Sequence, residues 1–423
     1  MKYFSSALAL LLSLTLTACG GSSEQPQGKL LAAPNVIATL TTAQLDAITA
    51  GSGLQPLTGT AKCDVSMAQI NYQTSGVQPG ELSNASAAVL IPSGTNCPGP
   101  FPLVAFARGT NLYKSHTNAD PTDPTAQILM NFFAAQGYAV VATDYLGYAL
   151  SSYSYHPYMH ADSEASAVID SIRATRLAAS SLGLALNGKV MVSGYSQGGH
   201  AAMATQRAIE QQNSGEFNLV ASAPLAGPYN VSGALVDGAT NPIIGVQDYV
   251  PFQITAYQEI YGNVYSSTSD IFNAPYDGYI ANLFPATVDA ATLASMLPGG
   301  TPAQAEQAMF KSAYLNDLAT NPNNATIVAA AKQNLLLGWD PKAPTRLCGG
   351  SGDPTVKFLI NAVPAYNGFI SRGDTNVTLV DVDPEVRQAF GSLDPATYNS
   401  EYHGALESPF CAQVAKQFFD LYK

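Results

Sequence analysis

Apolar residues gather in short runs, separated by stretches of helical periodicity. Residues 101–107 (Phe-Pro-Leu-Val-Ala-Phe-Ala), 138–143, 190–194 and 219–223 read as strands, the first of them buried. Between them, residues 126–136 read as a helix closed by Gly137. Residues 162–182 read as a long helix with Ile169, Ile172, Leu177 and Leu182 on one apolar stripe. Upstream, residues 41–50 predict a short helix with a threonine cap. Residues 65–73 and 85–91 predict two strands joined by a turn around Val77-Gln78-Pro79-Gly80. The strand–helix alternation through residues 101–228 predicts βαβ units. These make a mainly parallel central sheet flanked by helices, with reactive groups at the strands' C-terminal ends.

The alternation then stops. Residues 229–342 are helix-like and rich in Tyr, Phe, Ala and Pro, with 303–318 and 326–337 the clearest helices and no buried-strand run. It resumes with strands at 345–348 and 377–382 and helices at 355–369 and 409–422. The pattern predicts one α/β domain, residues 30–228 and 343–423, interrupted by a helical cap at 229–342. Aromatic residues of the insertion, Tyr249, Phe252 and Tyr257 among them, either line an apolar pocket or form the cap's own core. Together they argue against a charged substrate.

One stretch carries chemistry, Val190-Met191-Val192-Ser193-Gly194-Tyr195-Ser196-Gln197-Gly198-Gly199-His200. A β-branched strand enters Gly-x-Ser-x-Gly and a small-residue helix leaves at once. Such an elbow strains the serine backbone and exposes its hydroxyl at a helix N-terminus. The unpaired N–H groups and positive dipole end there suit a developing oxyanion. A nucleophilic serine needs an imidazole base, and the base an orienting carboxylate. In elbow-bearing hydrolases the acid and then the base follow the serine along the chain.

Asp353 fits the acid, since a short strand and the turn Gly349-Gly350-Ser351-Gly352 precede it. Asp340, Asp374, Asp381 and Asp383 are rivals, the last two lying in and just beyond a strand and reading as structural. His403 alone follows Asp353 and is the expected base. His116, His156, His160 and His200 precede the acid and read as surface or hydrogen-bonded histidines, and Glu401 as a surface charge. One oxyanion donor would be the main chain of Gln197. The second would come from Gly109 or Thr110, with Thr110 preferred.

The 423-residue chain is 47% apolar and 11% charged, so it can bury a large core. Its net charge of −12 argues against nucleic acid or an anionic membrane surface as partner. Residues 1–18 have the form of a signal segment, with Lys2 and an apolar stretch from Ala7 to Leu16. Leu16-Thr17-Ala18-Cys19 resembles the lipobox of bacterial lipoproteins. That resemblance implies a lipid on Cys19 as the only membrane attachment, and Gly20 after the cysteine resembles outer-membrane sorting. Residues 19–29 would be a flexible tether. An ordinary secretory signal cut near Ala18 is the alternative. Cys63, Cys97, Cys348 and Cys411 remain, an even number in an exported chain. Of three pairings, Cys63–Cys97 and Cys348–Cys411 are favoured because each lies within one half of the chain. No Cys-x-x-Cys occurs, so no metal is expected.

Arg108-Gly109-Thr110, Asp144-Tyr145-Leu146-Gly147, His156-Pro157-Tyr158, Gly194 to Gly199, Gly349 to Asp353 and Tyr402-His403 together resemble the α/β-hydrolase superfamily. Within it, the chain is similar to secretory lipases of the Candida antarctica lipase A type and their bacterial secreted esterase relatives, over residues 60–423. Two positions depart from the usual pattern, Arg108 where a His-Gly pair is common and Ala149 where a glycine is common. The resemblance implies an α/β-hydrolase fold and a cap over the acyl site. It also implies hydrolysis of carboxylic esters with apolar acyl groups through an acyl-enzyme on Ser196. No cofactor and no protein partner are implied; the substrate is a small-molecule or lipid ester. A serine exopeptidase of the same fold, or a non-catalytic surface lipoprotein with a hydrolase shell, are the alternatives.

Overall fold

The computed structural model describes residues 27–423. The signal segment 1–18, Cys19 and the tether up to residue 26 lie outside the described residues. At the tether's end, Gly28 N–H donates to Gln73 O and Gln73 N–H to Lys29 O, both at 2.9 Å.

Nine strands make one sheet: β1 (Asn35–Leu40), β2 (Asp64–Ser75), β3 (Leu82–Ser93), β4 (Phe101–Ala107), β5 (Ala139–Thr143), β6 (Leu186–Tyr195), β7 (Asn218–Leu225), β8 (Thr345–Gly349) and β9 (Val377–Asp381). Their order is β1-β2-β3-β5-β4-β6-β7-β8-β9. The pairs β1–β2, β2–β3 and β3–β5 are antiparallel, and every pair from β5 to β9 is parallel. Strand alternation sorts the apolar residues onto two faces. Val104, Phe106, Val140 and Met191 pack with the helices Pro124–Phe132 and Ser408–Phe419. Leu103, Ala105, Val141 and Val192 pack with the helices Ala161–Ala178 and Gln197–Gln212. The mainly parallel sheet is the one the pattern predicts, and its arrangement is the α/β-hydrolase fold that the resemblance implies.

Between β7 and β8 the described residues contain no strand. Helices including Val231–Gly238, Val246–Tyr261, Pro302–Met309 and Ser312–Thr320 bury a cluster of their own around Phe252, Tyr257, Phe272 and Met309. Tyr158 and Met159, from the loop after β5, join that cluster. The two disulfides are Cys63–Cys97 and Cys348–Cys411.

Three local expectations are corrected, and one strand had not been foreseen. Strand β1 is an edge strand with largely exposed residues, so it carries no apolar signal. Leu177 is exposed, because small residues such as Ala167, Ala174 and Ala178 form the buried face with Ile169 and Ile172. The helix expected at 303–318 breaks at Phe310, which bridges to Phe272. The helix expected from 355 begins only at Ala362, because the preceding main chain turns around a side chain of the site.

Candidate active site

The site forms at the C-terminal edge of the parallel strands. β6 ends at Tyr195 and the helix Gln197–Gln212 begins at once, with Ser196 between them at φ 60°, ψ −123°. A non-glycine residue pays a conformational penalty there, and the surroundings must hold it. Ser196 N–H donates to Leu225 O at 3.0 Å, tying the elbow to the end of β7. Neighbouring backbone leaves no room for side chains. A Cβ on Gly194 would lie 2.2 Å from Gly198 O, and one on Gly198 would lie 1.8 Å from Ala107 O.

The acid hangs on a turn after β8. Asp353 Oδ1 accepts the N–H groups of Thr355 at 2.8 Å and Val356 at 3.0 Å. This Asx turn fixes the carboxyl and leaves Oδ2 free to point at His403 Nδ1, 2.6 Å away. His403 sits in a single π turn, Tyr402–Leu406, that leads into the helix Ser408–Phe419. Its Nε2 lies 2.7 Å from Ser196 Oγ. The disulfide Cys348–Cys411 joins the strand before the acid to the helix after the histidine. Asp353 and His403 are buried and Ser196 is partly exposed.

Three of the four rival aspartates have other partners. Asp381 Oδ1 accepts Ser351 N–H at 2.9 Å, and Asp383 accepts Tyr402 O–H at 2.8 Å and pairs with Arg387. Both brace the turns that carry Asp353 and His403. Asp340 pairs with Arg372 on the surface, and Glu401 is exposed. Of the earlier histidines, His160 caps the helix Ala161–Ala178 and His116 lies 3.9 Å from Asp123.

Thr110, Ser196 and Gln197 line one cavity, with Leu235, Val246 and Tyr249 of the inserted helices forming apolar wall. Gly109 lies against the elbow, where a Cβ would meet Tyr195 O at 3.3 Å. Thr110 Oγ1 is 2.8 Å from Tyr158 Oη. Gln197 occupies the first turn of its helix, where N–H groups lack intrahelical acceptors. Arg108 is buried, its guanidinium 4.1 Å over the Tyr148 ring and donating to Gly109 O at 3.1 Å. It thus braces the loop from below. Ala149 has φ 47°, the left-handed conformation that explains why glycine is common there.

Sequence reasoning missed two features. Beneath the elbow, Gln197 Nε2 donates to Glu164 Oε1 at 2.7 Å and lies 2.7 Å from His156 Nε2. His200 Nδ1 meets Glu164 Oε2 at 2.7 Å. Burial, together with Arg108, pulls His156 down to about 3, so its ring is a neutral acceptor there. Beside the His403 ring, the fully buried Glu407 places Oε2 3.7 Å from His403 Nδ1 and 3.1 Å from Tyr195 Oη. The Tyr195 ring stacks on His403, with centroids 5.1 Å apart. An acid four residues beyond the base was the available signal. Burial opposes a charge on His403, yet the neighbouring Asp353 and Glu407 side chains, Asp353 foremost, outweigh it and raise its pKa. Asp353, His403 and Glu407 offer atoms within 4.8 Å of one another, as a metal site does. The atom facing both carboxylates is Nδ1, however, which is already bonded to Asp353.

A nine-stranded, mostly parallel sheet with a serine, histidine and aspartate at its edge defines an α/β-hydrolase. The model of the secretory lipase family matches residues 122–234. Among solved structures, the esterase LipA of Xanthomonas oryzae, described as rice cell wall degrading, is 36% identical with a TM-score of 0.84. The match covers 94% of this chain and 100% of that chain. A protein of Legionella pneumophila is 21% identical over 93% of this chain and 98% of that one, with a TM-score of 0.77. Candida antarctica lipase A is 17% identical over 90% and 83%, with a TM-score of 0.56. These last two bear on the fold alone. No curated protein sequence matches the chain. The chain belongs to the secretory lipase family and is a lipase/esterase, a hydrolase of carboxylic esters.

Proposed function

We propose that this ester hydrolase works by serine catalysis. His403 takes the Ser196 proton through Nε2, Ser196 attacks the ester carbonyl, and Asp353 holds the imidazolium by Nδ1. The main-chain N–H groups of Gln197 and Thr110 hold the oxyanion, the alcohol leaves with the proton that His403 took, and water, giving a proton to His403 in turn, then releases the acid and restores Ser196. The observation that carries this reading is the continuous relay from Asp353 Oδ2 through His403 to Ser196 Oγ, at 2.6 and 2.7 Å. A surface lipoprotein without activity would have no need of that alignment. Residues 229–342 act as a cap whose apolar wall receives the acyl group. The protein is exported and held to a membrane through lipid on Cys19; among the described residues no helix is long and apolar enough to cross a membrane.

The exopeptidase alternative needs a cavity carboxylate to hold an ammonium. Glu306 lines the cavity, but burial pushes its carboxyl up to about 7, which makes it a weak permanent anchor. Asp237 is already paired with Lys357. The test is a fluorophosphonate probe followed by peptide mapping, beside p-nitrophenyl esters of increasing acyl length and aminoacyl-nitroanilides. Ser196 should be labelled and the esters turned over. No labelling at Ser196, or turnover of the anilides alone, overturns the proposal.

A further inference from the structure

Tyr195 has one hydroxyl proton and two acceptors beside it. Its Oη lies 2.5 Å from the His403 main-chain oxygen and 3.1 Å from Glu407 Oε2. If Glu407 were an anion, one of these contacts would set two oxygens together with no hydrogen between them. A proton on Glu407 resolves the count. The carboxylic acid then donates to Tyr195 Oη, and Tyr195 donates to His403 O. The other Glu407 oxygen, Oε1, is buried with no hydrogen-bond partner, a poor setting for a charge.

Resting on the serine mechanism above, we propose that Glu407 is a positioning residue that works as a neutral carboxylic acid. It pins Tyr195 over the His403 ring and leaves Asp353 the only charged partner of the imidazole. The groups around it agree. Asp353 and His403 act on it from the turn after β8 and from its own segment, and the phenols of Tyr195, Tyr402 and Tyr229 face it from β6, the π turn and the loop after β7. Burial, with Asp353 adding to it, raises the Glu407 carboxyl despite the opposing pull of His403. The consequence concerns the base. A charged Glu407 would hold His403 protonated before reaction, and a protonated ring cannot take the Ser196 proton. A neutral Glu407 orients the ring without tying up its proton site.

Infrared difference spectroscopy between wild type and E407Q at neutral pH tests the protonation directly. The carbonyl stretch of an un-ionised carboxylic acid should vanish in the variant; loss of carboxylate bands alone overturns the proposal. E407Q keeps a donor for Tyr195, so kcat should fall only a few-fold, with KM and the acid limb of kcat/KM in place. A downward move of that limb by about one pH unit or more would show that a charge had been removed, and overturns it. E407L, which has no donor, should lose roughly 10²-fold in kcat with little change in KM. Equal losses in E407Q and E407L overturn the relay. Should E407L not fold, Y195F removes the same link and should lose kcat in the same way; an unchanged kcat in Y195F counts against the proposal. Wild type unlabelled at Ser196 would sink the serine mechanism by itself, while the infrared band still decides the state of Glu407.

Discussion

His403 and His200 each meet a buried carboxylate through Nδ1, at 2.6 Å from Asp353 and 2.7 Å from Glu164. Both pairs lie within a few residues of Ser196 in space or sequence. They differ at the other ring nitrogen. His403 Nε2 faces Ser196 Oγ at 2.7 Å, whereas His200 Nε2 is buried without a hydrogen-bond partner. A histidine–carboxylate pair is therefore not itself a catalytic feature. Its chemistry depends on what Nε2 can reach, and only one of these two reaches a hydroxyl beside a cavity.

The two pairs part most visibly at the serine. Ser196→Ala leaves both pairs intact but removes what His403 Nε2 acts on, and should lower kcat on the order of 10⁶-fold with little effect on folding. A wild-type rate would end the assignment. Asp353→Asn keeps the shape of the first pair but turns the imidazole to the wrong tautomer, with Nε2 carrying hydrogen. The expected loss in kcat is roughly 10⁴-fold. Asp374→Asn, at a carboxylate whose charged neighbours are Asp340 and Arg372, is the control; if it proves the more damaging of the two, Asp353 is not the acid. Cys348→Ser with Cys411→Ser tests how the first pair is held. The bridge closes a 63-residue separation between the two arms of the site. Its loss should cost about 4 kcal/mol in chemical denaturation and lower activity before global unfolding.

The part legible in the sequence was local and chemical. The elbow is written in Gly194 and Gly198, because backbone crowds both positions, and in the β-branched run of β6. The order of acid and base singled out Asp353 and His403 from five histidines and several aspartates. Contacts between distant segments were hidden. Glu407 is an ordinary glutamate until the π turn folds it under His403, and Glu164 an ordinary first-turn acid until its helix packs against the elbow helix. The inserted helices were legible only in part. Val246–Tyr261 carries Pro251 in its interior, a residue that reads as a break. Here Phe252, Ile254 and Tyr257 bury enough apolar surface to hold the helix through it.

The smallest expected effect comes from the same chemical change made at the second pair. Glu164→Gln replaces an acid by an amide beside a histidine, as Asp353→Asn does. His200 can answer by moving its proton from Nδ1 to Nε2, where no partner is displaced, and Nδ1 then accepts from the new amide. The remaining amide oxygen still accepts from Gln197 Nε2. One hydrogen-bond set is exchanged for another, so stability should fall by about 1 kcal/mol and kcat/KM by less than about tenfold. Under the proposed serine mechanism the identical tautomer shift at His403 is ruinous, since it puts hydrogen on the nitrogen that would receive the Ser196 proton. Thermal unfolding beside steady-state kinetics on both variants measures the contrast. A loss of activity in Glu164→Gln as deep as in Asp353→Asn would mean that the pair beneath the elbow takes part in the chemistry, and the distinction drawn at Nε2 would fall.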